Sequence, residues 1–186
     1  MKLLLYCTKA KPKLYNTDKG FVLTDFKLGE YFNNKVLLNG KIVAECDYEV
    51  EEITSEKLDT GVGYEPIFYT ETIDDISKES CLTQFEIENY LGCKAGGEVV
   101  GYAIHIKNLN IFDKPRDTRE YNTYNRYGKV HIADIPIRKA PQNMMYAFDY
   151  YGNPFVLISI KPEWLCKILN GEKTIEVRRK VLKEMK

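Results

Sequence analysis

The sequence predicts an α+β fold, a mixed β-barrel carrying a few short helices, and three observations lead there. Runs of aliphatic, β-branched and aromatic residues recur along the chain between turn signals. Only two stretches show helical spacing of their apolar residues. The 186 residues, 44% apolar and 29% charged, suffice to bury roughly 70% of the unfolded surface in one core. The expectation is a single domain over residues 1–186, with an acidic insertion around residues 54–78.

Leu3-Leu4-Leu5-Tyr6-Cys7-Thr8 is an apolar run cut off by lysines and a proline, the pattern of a buried strand entering a loop. Asn39-Gly40 stands between the apolar runs at residues 36–38 and 41–50, which predicts a hairpin. Residues 55–76 hold two glycines and a proline and keep no period, so short irregular pieces are expected. Leu82, Phe85, Ile87 and Tyr90 have roughly helical spacing before Gly92, predicting one helix over 81–91. Gly96-Gly97 turns the chain into residues 99–112, dense in β-formers and ended by Asp113-Lys114-Pro115.

Residues 116–131 read as a tyrosine-rich surface loop. Strands follow at 144–148 and 155–160, separated by a turn at 149–153; the second is an unbroken apolar run suited to burial on both faces. Pro162 suits a helix start, Trp164, Leu165, Ile168 and Leu169 form one stripe, and Gly171 closes that helix. Residues 173–181 return as a strand, with Ile175 and Val177 on one face and Thr174, Glu176 and Arg178 on the other.

Composition excludes several classes of function. The five cysteines, Cys7, Cys46, Cys81, Cys93 and Cys166, form no CxxC pair, and the two histidines are His105 and His131, so neither a zinc site nor a disulfide framework is predicted, and no cofactor. No apolar run is long enough to span a membrane, and residues 1–6 are too short for a signal core, which predicts a cytoplasmic protein. Net charge is zero but unevenly spread. Residues 42–89 hold fourteen acids and two bases, residues 1–41 eight bases and three acids, and residues 161–186 eight bases and four acids. Such runs are either solvated faces or, if the basic termini meet, a positive surface.

Alternation sets Glu176 and Arg178 about 6.5–7 Å apart on one strand face, and a turn or bulge at the strand start can bring in Lys173. Arg offers planar bidentate donors and Glu an acceptor, a set suited to a phosphate or base edge, or else to an ordinary strand salt bridge. Tyr6, Tyr121, Tyr124 and Tyr127 are candidates for base stacking or for packing. Cys7, near Lys9, is a candidate for a lowered thiol pKa. His105 reads as a satisfied core residue and His131 as loop surface.

Gly171, Lys173, Glu176 and Arg178 match the pattern GxKxxExR at its four fixed positions, and in this the chain resembles the ASCH family, relatives of the PUA barrel. Ser159-Ile160-Lys161-Pro162 and the helix after it resemble that family's opening strand and helix, and Lys139-Ala140-Pro141-Gln142-Asn143 resembles its closing strand. In the family the GxKxxExR strand comes early, whereas here it comes last. The resemblance therefore implies a circularly permuted PUA-like barrel, or a C-terminal segment that begins a truncated second copy or completes a neighbouring chain as in a swapped dimer.

The resemblance also implies binding of RNA or a nucleotide in a basic barrel-mouth cleft lined by Lys161, Lys173, Glu176, Arg178, Lys9 and Gln142. Some small family members hydrolyse N4-acetylcytidine with a lysine and a threonine on this strand, reading like GRKTITIR. Here Lys173 and Thr174 are present, but Glu176 replaces the second threonine, so binding is favoured over catalysis. An amidohydrolase acting on a modified nucleoside would use Lys173 as base and Glu176 as proton shuttle. A third expectation is a protein-interaction module presenting the acidic central surface.

Overall fold

The computed structural model describes residues 1–18, 20–24, 36–92, 97–123 and 135–185. Cys93, Gly96, Tyr124, Tyr127 and His131 lie outside the described residues. The chain divides into two compact units, Met1–Asp47 with Asn108–Gly171, and Tyr48–Lys107 with Glu172–Lys186. Two strands of eighteen residues, β5 (Ile42–Asp59) and β7 (Val99–Arg116), contribute to both.

The first unit is organised by β1 (Lys2–Cys7) and β9 (Pro154–Ile160), which pair in parallel from Lys2 opposite Phe155 to Cys7 opposite Ile160. Both read as continuous apolar runs because both faces are covered; residues 3–7 of β1 and 156–160 of β9 are buried. On its other edge β1 pairs antiparallel with the start of β5, shifting register between Leu5 and Tyr6. On β9 lies β8 (Met144–Phe148), joined through the turn at 149–153. One core cluster holds Leu4, Tyr6, Ile42, Tyr121, Ile137, Ala147 and Leu157, with Phe112 and Phe155 against it.

A second, small sheet orders β3 (Gly20–Thr24), β2 (Lys13–Thr17) and β4 (Val36–Leu37). The helix α3 (Pro162–Leu169) has Pro162 at its start, where a missing N–H costs nothing, and buries Leu165, Ile168 and Leu169. Asn170 just beyond it accepts from the Phe21 amide at 3.1 Å and donates to the Phe21 carbonyl at 3.0 Å, tying β3 to the helix end.

In the second unit β6 (Tyr64–Phe68) pairs antiparallel with the distal part of β5, and β10 (Ile175–Arg178) pairs antiparallel with β7 of the same chain. Two helices, α1 (Ile73–Ser80) and α2 (Gln84–Leu91), pack on this sheet around Ile53, Ile76, Ile87, Leu91, Ala103, Ile175 and Val177. Thr83 and Glu86 form a capping box that starts α2, three residues later than the sequence periodicity suggests, and Gly92 ends it at φ +80°.

Three expectations need correction. The fold is α+β, but in neither unit does the described strand order close into a barrel. The first unit ends on β8, whose outer edge meets, among the described residues, an isolated bridge at Asn122 and the Thr123 hydroxyl, and residues 139–143, expected as a closing strand, run as a loop anchored where Ser159 Oγ donates to the Pro141 carbonyl at 2.6 Å. Pro141 removes an amide that a ladder there would need. Asn39-Gly40 does turn the chain, with the Lys41 amide donating to the Leu38 carbonyl at 3.1 Å, yet its arms join different partners, β4 pairing with β2 and β5 with β1. Asn39 favours this: its side chain accepts from the Leu14 amide at 2.6 Å and donates to the Ala10 carbonyl at 3.1 Å, binding the turn to β2 and to the loop before it.

The acidic stretch is also ordered. Its strands are joined by a tight turn in which the Thr60 amide donates to the Gly63 carbonyl at 2.9 Å and the Gly61 amide to Asp59 Oδ1 at 2.8 Å, and α1 follows. Among the described residues no helix is long and apolar enough to cross a membrane.

Candidate functional site

Glu176 and Arg178 meet in the second unit as their alternation predicts, and Lys173, just before β10, joins them, but all three lie inside the unit. Glu176 Oε1 lies 2.9 Å from an Arg178 guanidinium nitrogen, and its Oε2 lies 3.4 Å from Lys173 Nζ. The Lys173 side chain is only 2% exposed and that of Glu176 9%. Lys173 Nζ also donates to the Ser80 carbonyl at 2.7 Å, at the C-terminal end of α1 where carbonyls lack helical partners. Next to it the Thr174 amide donates to the Glu79 carbonyl at 3.0 Å, and its hydroxyl to Glu79 Oε2 at 2.7 Å. Burial lowers the pKa of Lys173, and the nearby Glu176 charge opposes that shift. This cluster docks β10 onto the end of α1 and presents almost no charged surface.

The first unit contains an open cavity of about 770 Å³. It forms at the ends of the parallel strands. Because β1 and β9 run the same way, Tyr6, Thr8 and Lys9 emerge beside Ser159, with the Thr8 amide donating to the Ile160 carbonyl at 3.0 Å. The Gly40 turn closes one side, its amide donating to the Cys7 carbonyl at 2.7 Å. A short 3₁₀ turn, Thr118–Glu120, supplies Thr118 and Arg119, and the loop after Ile137 supplies Arg138, Lys139, Ala140 and Pro141.

Four bases, Lys9, Arg119, Arg138 and Lys139, line this cavity against one acid, Asp117. Asp117 is already engaged: Arg119 Nε donates to it at 3.0 Å and Lys41 Nζ at 3.1 Å, while it caps the 3₁₀ turn through the Arg119 amide. These contacts, Arg119 foremost, hold its carboxyl well below the usual carboxylate range. Among the described residues Lys9, Arg138 and Lys139 have no acidic partner within salt-bridge distance. Like charges gathered without counter-charge cost stability and favour an anion in their midst.

Of the residues expected at a common site, the structure thus places Lys9 on the cavity wall. Gln142 is exposed beside the lining residue Pro141, and Lys161 is exposed 4.0 Å from Glu163; neither lines the cavity. Lys173, Glu176 and Arg178 belong to the other unit. Arg119, Arg138 and Lys139 were absent from the sequence-based set, since nothing in their spacing marks a site.

Other candidates resolve into packing. Burial pushes the Cys7 thiol up to about 12, the reverse of what a nucleophile needs. Tyr121 is 2% exposed, edge-on to Phe155, with its hydroxyl accepting from Arg116 at 2.8 Å. His105, expected in the core, is instead partly exposed, though it is satisfied by Glu51 at 2.9 Å, and Trp164 is half-buried with Lys167 Nζ 5.2 Å from its ring centre. Among the described residues no group of three or more His, Cys, Asp or Glu is placed to hold a metal ion.

Gly40 gives this wall a backbone test. Its φ is +82°, and a Cβ there would lie 2.7 Å from Lys9 Cε and 3.0 Å from Lys9 Cγ. The lysine stem can swing away, so Gly40→Ala is expected to cost about 1–2 kcal/mol for the left-handed backbone alone and to move Lys9 off the wall. Urea unfolding measures the first effect; an unchanged midpoint contradicts it.

No protein-family model matches the chain, and neither does any curated protein or any solved structure.

Proposed function

We propose that this protein binds RNA or a nucleotide through the basic cavity of its first unit. The observation that carries the reading is the concave wall on which Lys9, Arg138 and Lys139 stand without acidic partners among the described residues. Cations in a cleft attract phosphate, and displacement of counterions from the nucleic acid supplies much of the affinity. Around them Thr8 and the nearly buried ring of Tyr6 offer a hydroxyl and an apolar edge for the sugar and base. The GxKxxExR resemblance supports the same class of ligand, and a permuted ASCH-like ancestry is part of the proposal. The open sheets depart from a closed PUA-like barrel, and the motif side chains serve the second unit's interior. The amidohydrolase alternative loses its base in this reading, because Lys173 offers no accessible nitrogen.

Titration of the full chain with fluorescently labelled single-stranded RNA at two salt concentrations tests the proposal. Affinity is expected to fall as salt rises, with a slope of roughly 0.7 per phosphate contacted. Salt-independent binding, or none at low salt, overturns it.

A further inference from the structure

Among the described residues, the cavity holds more positive charge without an acidic partner than the interior of a bound strand would require. Its 770 Å³ falls within the roughly 300–1,000 Å³ of pockets that enclose one small ligand, so one or two nucleotides enter and a duplex does not. An internal phosphodiester brings one negative charge per nucleotide, whereas a phosphomonoester carries about −1.5 to −2 at neutral pH. Lys9, Arg138 and Lys139 outnumber the charges of one or two internal diesters and match a monoester with its adjoining diester. Arg119 is paired with Asp117, the one acid of the lining, so the lining carries a net three positive charges.

A second feature of the same wall points the same way. Thr8 Oγ1 is shielded from solvent and has no hydrogen-bond partner among the described residues, yet Thr8 lines the cavity two positions from Tyr6 and next to Lys9. A hydroxyl left in that state gains from an acceptor, and a phosphate against this wall supplies one once the Thr8 side chain turns toward the cavity. By contrast the neighbouring Ser159 hydroxyl is committed to the Pro141 carbonyl.

Resting on the RNA-binding proposal above, we infer that the cavity recognises the phosphorylated end of a single strand, with the terminal phosphomonoester between Lys9, Arg138 and Lys139 and within reach of Thr8 Oγ1. The recognised chemistry is a nucleotide monoester, and three RNAs of one sequence separate its sources: one with a 5′-phosphate, one with a 3′-phosphate and one with hydroxyl ends. Fluorescence anisotropy with an internally labelled strand and the full chain reads the affinities. One phosphorylated form is expected to bind about tenfold tighter than the hydroxyl form or better, as charge-assisted contacts to a dianion require. Lys9→Ala, at an exposed position, should erase that difference while leaving circular dichroism unchanged.

Equal affinity for all three strands, with binding still lost in Arg138→Ala, overturns the end assignment and leaves the RNA-binding proposal standing. Failure of every strand to bind overturns both. A nucleoside monophosphate that displaces the phosphorylated RNA at equal concentration overturns the strand-end assignment in favour of a free nucleotide.

Discussion

Glu176→Ala is expected to destabilise the protein by about 3–5 kcal/mol, the usual consequence of stranding buried charge by removing its partner. Glu176 is the only carboxylate that the salt bridges among the described residues place against both Lys173 and Arg178, whose side chains are 2% and 13% exposed. Without it the two cations lose the carboxylate that both contact, while the Ser80 carbonyl still accepts from Lys173. Glu176→Gln retains acceptor oxygen and shape and should cost less. Urea unfolding followed by circular dichroism measures both variants; a loss below about 1 kcal/mol for Glu176→Ala would show that solvent reaches the cluster. Under conditions where Glu176→Gln remains folded, its RNA affinity should match that of the parent protein.

The opposite pattern is expected of the cavity. Arg138 and Lys139 are exposed and lack acidic partners among the described residues, so replacing both by alanine should leave the unfolding midpoint nearly unchanged or raise it slightly as repulsion is relieved. The same double substitution should weaken RNA binding roughly tenfold or more at low salt and flatten the salt slope by about 1.4, two phosphate contacts' worth for a single strand. A double variant with parental affinity and slope would remove the cavity from consideration. Together the two experiments separate a charge cluster built for folding from one held ready for a ligand.

The strands that could be read from the sequence are those whose apolar runs are continuous because both faces are covered. β1 and β9 are of this kind, as is α3, whose proline and apolar stripe mark its start and inner face. Less legible were elements that depend on side chains far away in sequence. β6 and the distal part of β5 are partly exposed and acidic, so their period is masked, and their pairing rests on the short turn at residues 59–63. Asn39-Gly40 signalled a turn correctly, but its arms part because Asn39 bonds to a loop some 29 positions earlier.

The site divides along the same line. Local alternation brought Glu176 and Arg178 together, and the position of Lys173 at the strand's start allowed it to join them, all in agreement with the structure. Burial was not legible, since it depends on α1 ending over Lys173. The cavity draws on β1, the turn at Gly40, the 3₁₀ turn, the loop at 138–141 and β9. Five separate stretches share no spacing that a one-dimensional reading can detect, and Arg138 and Lys139 became visible only once Ser159 fixed the loop beside them.

The most direct test of the central claim is photocrosslinking of the full chain to a 4-thiouridine-containing single-stranded RNA, with the adducts mapped by mass spectrometry. Crosslinks are expected in the peptides containing Tyr6, Thr8 and Lys9 and in those spanning residues 138–141, and an excess of unlabelled RNA should abolish them. Adducts confined to the second unit, or to the exposed Tyr150 and Tyr151 of the β8–β9 turn, would contradict the assignment of the cavity as the binding site.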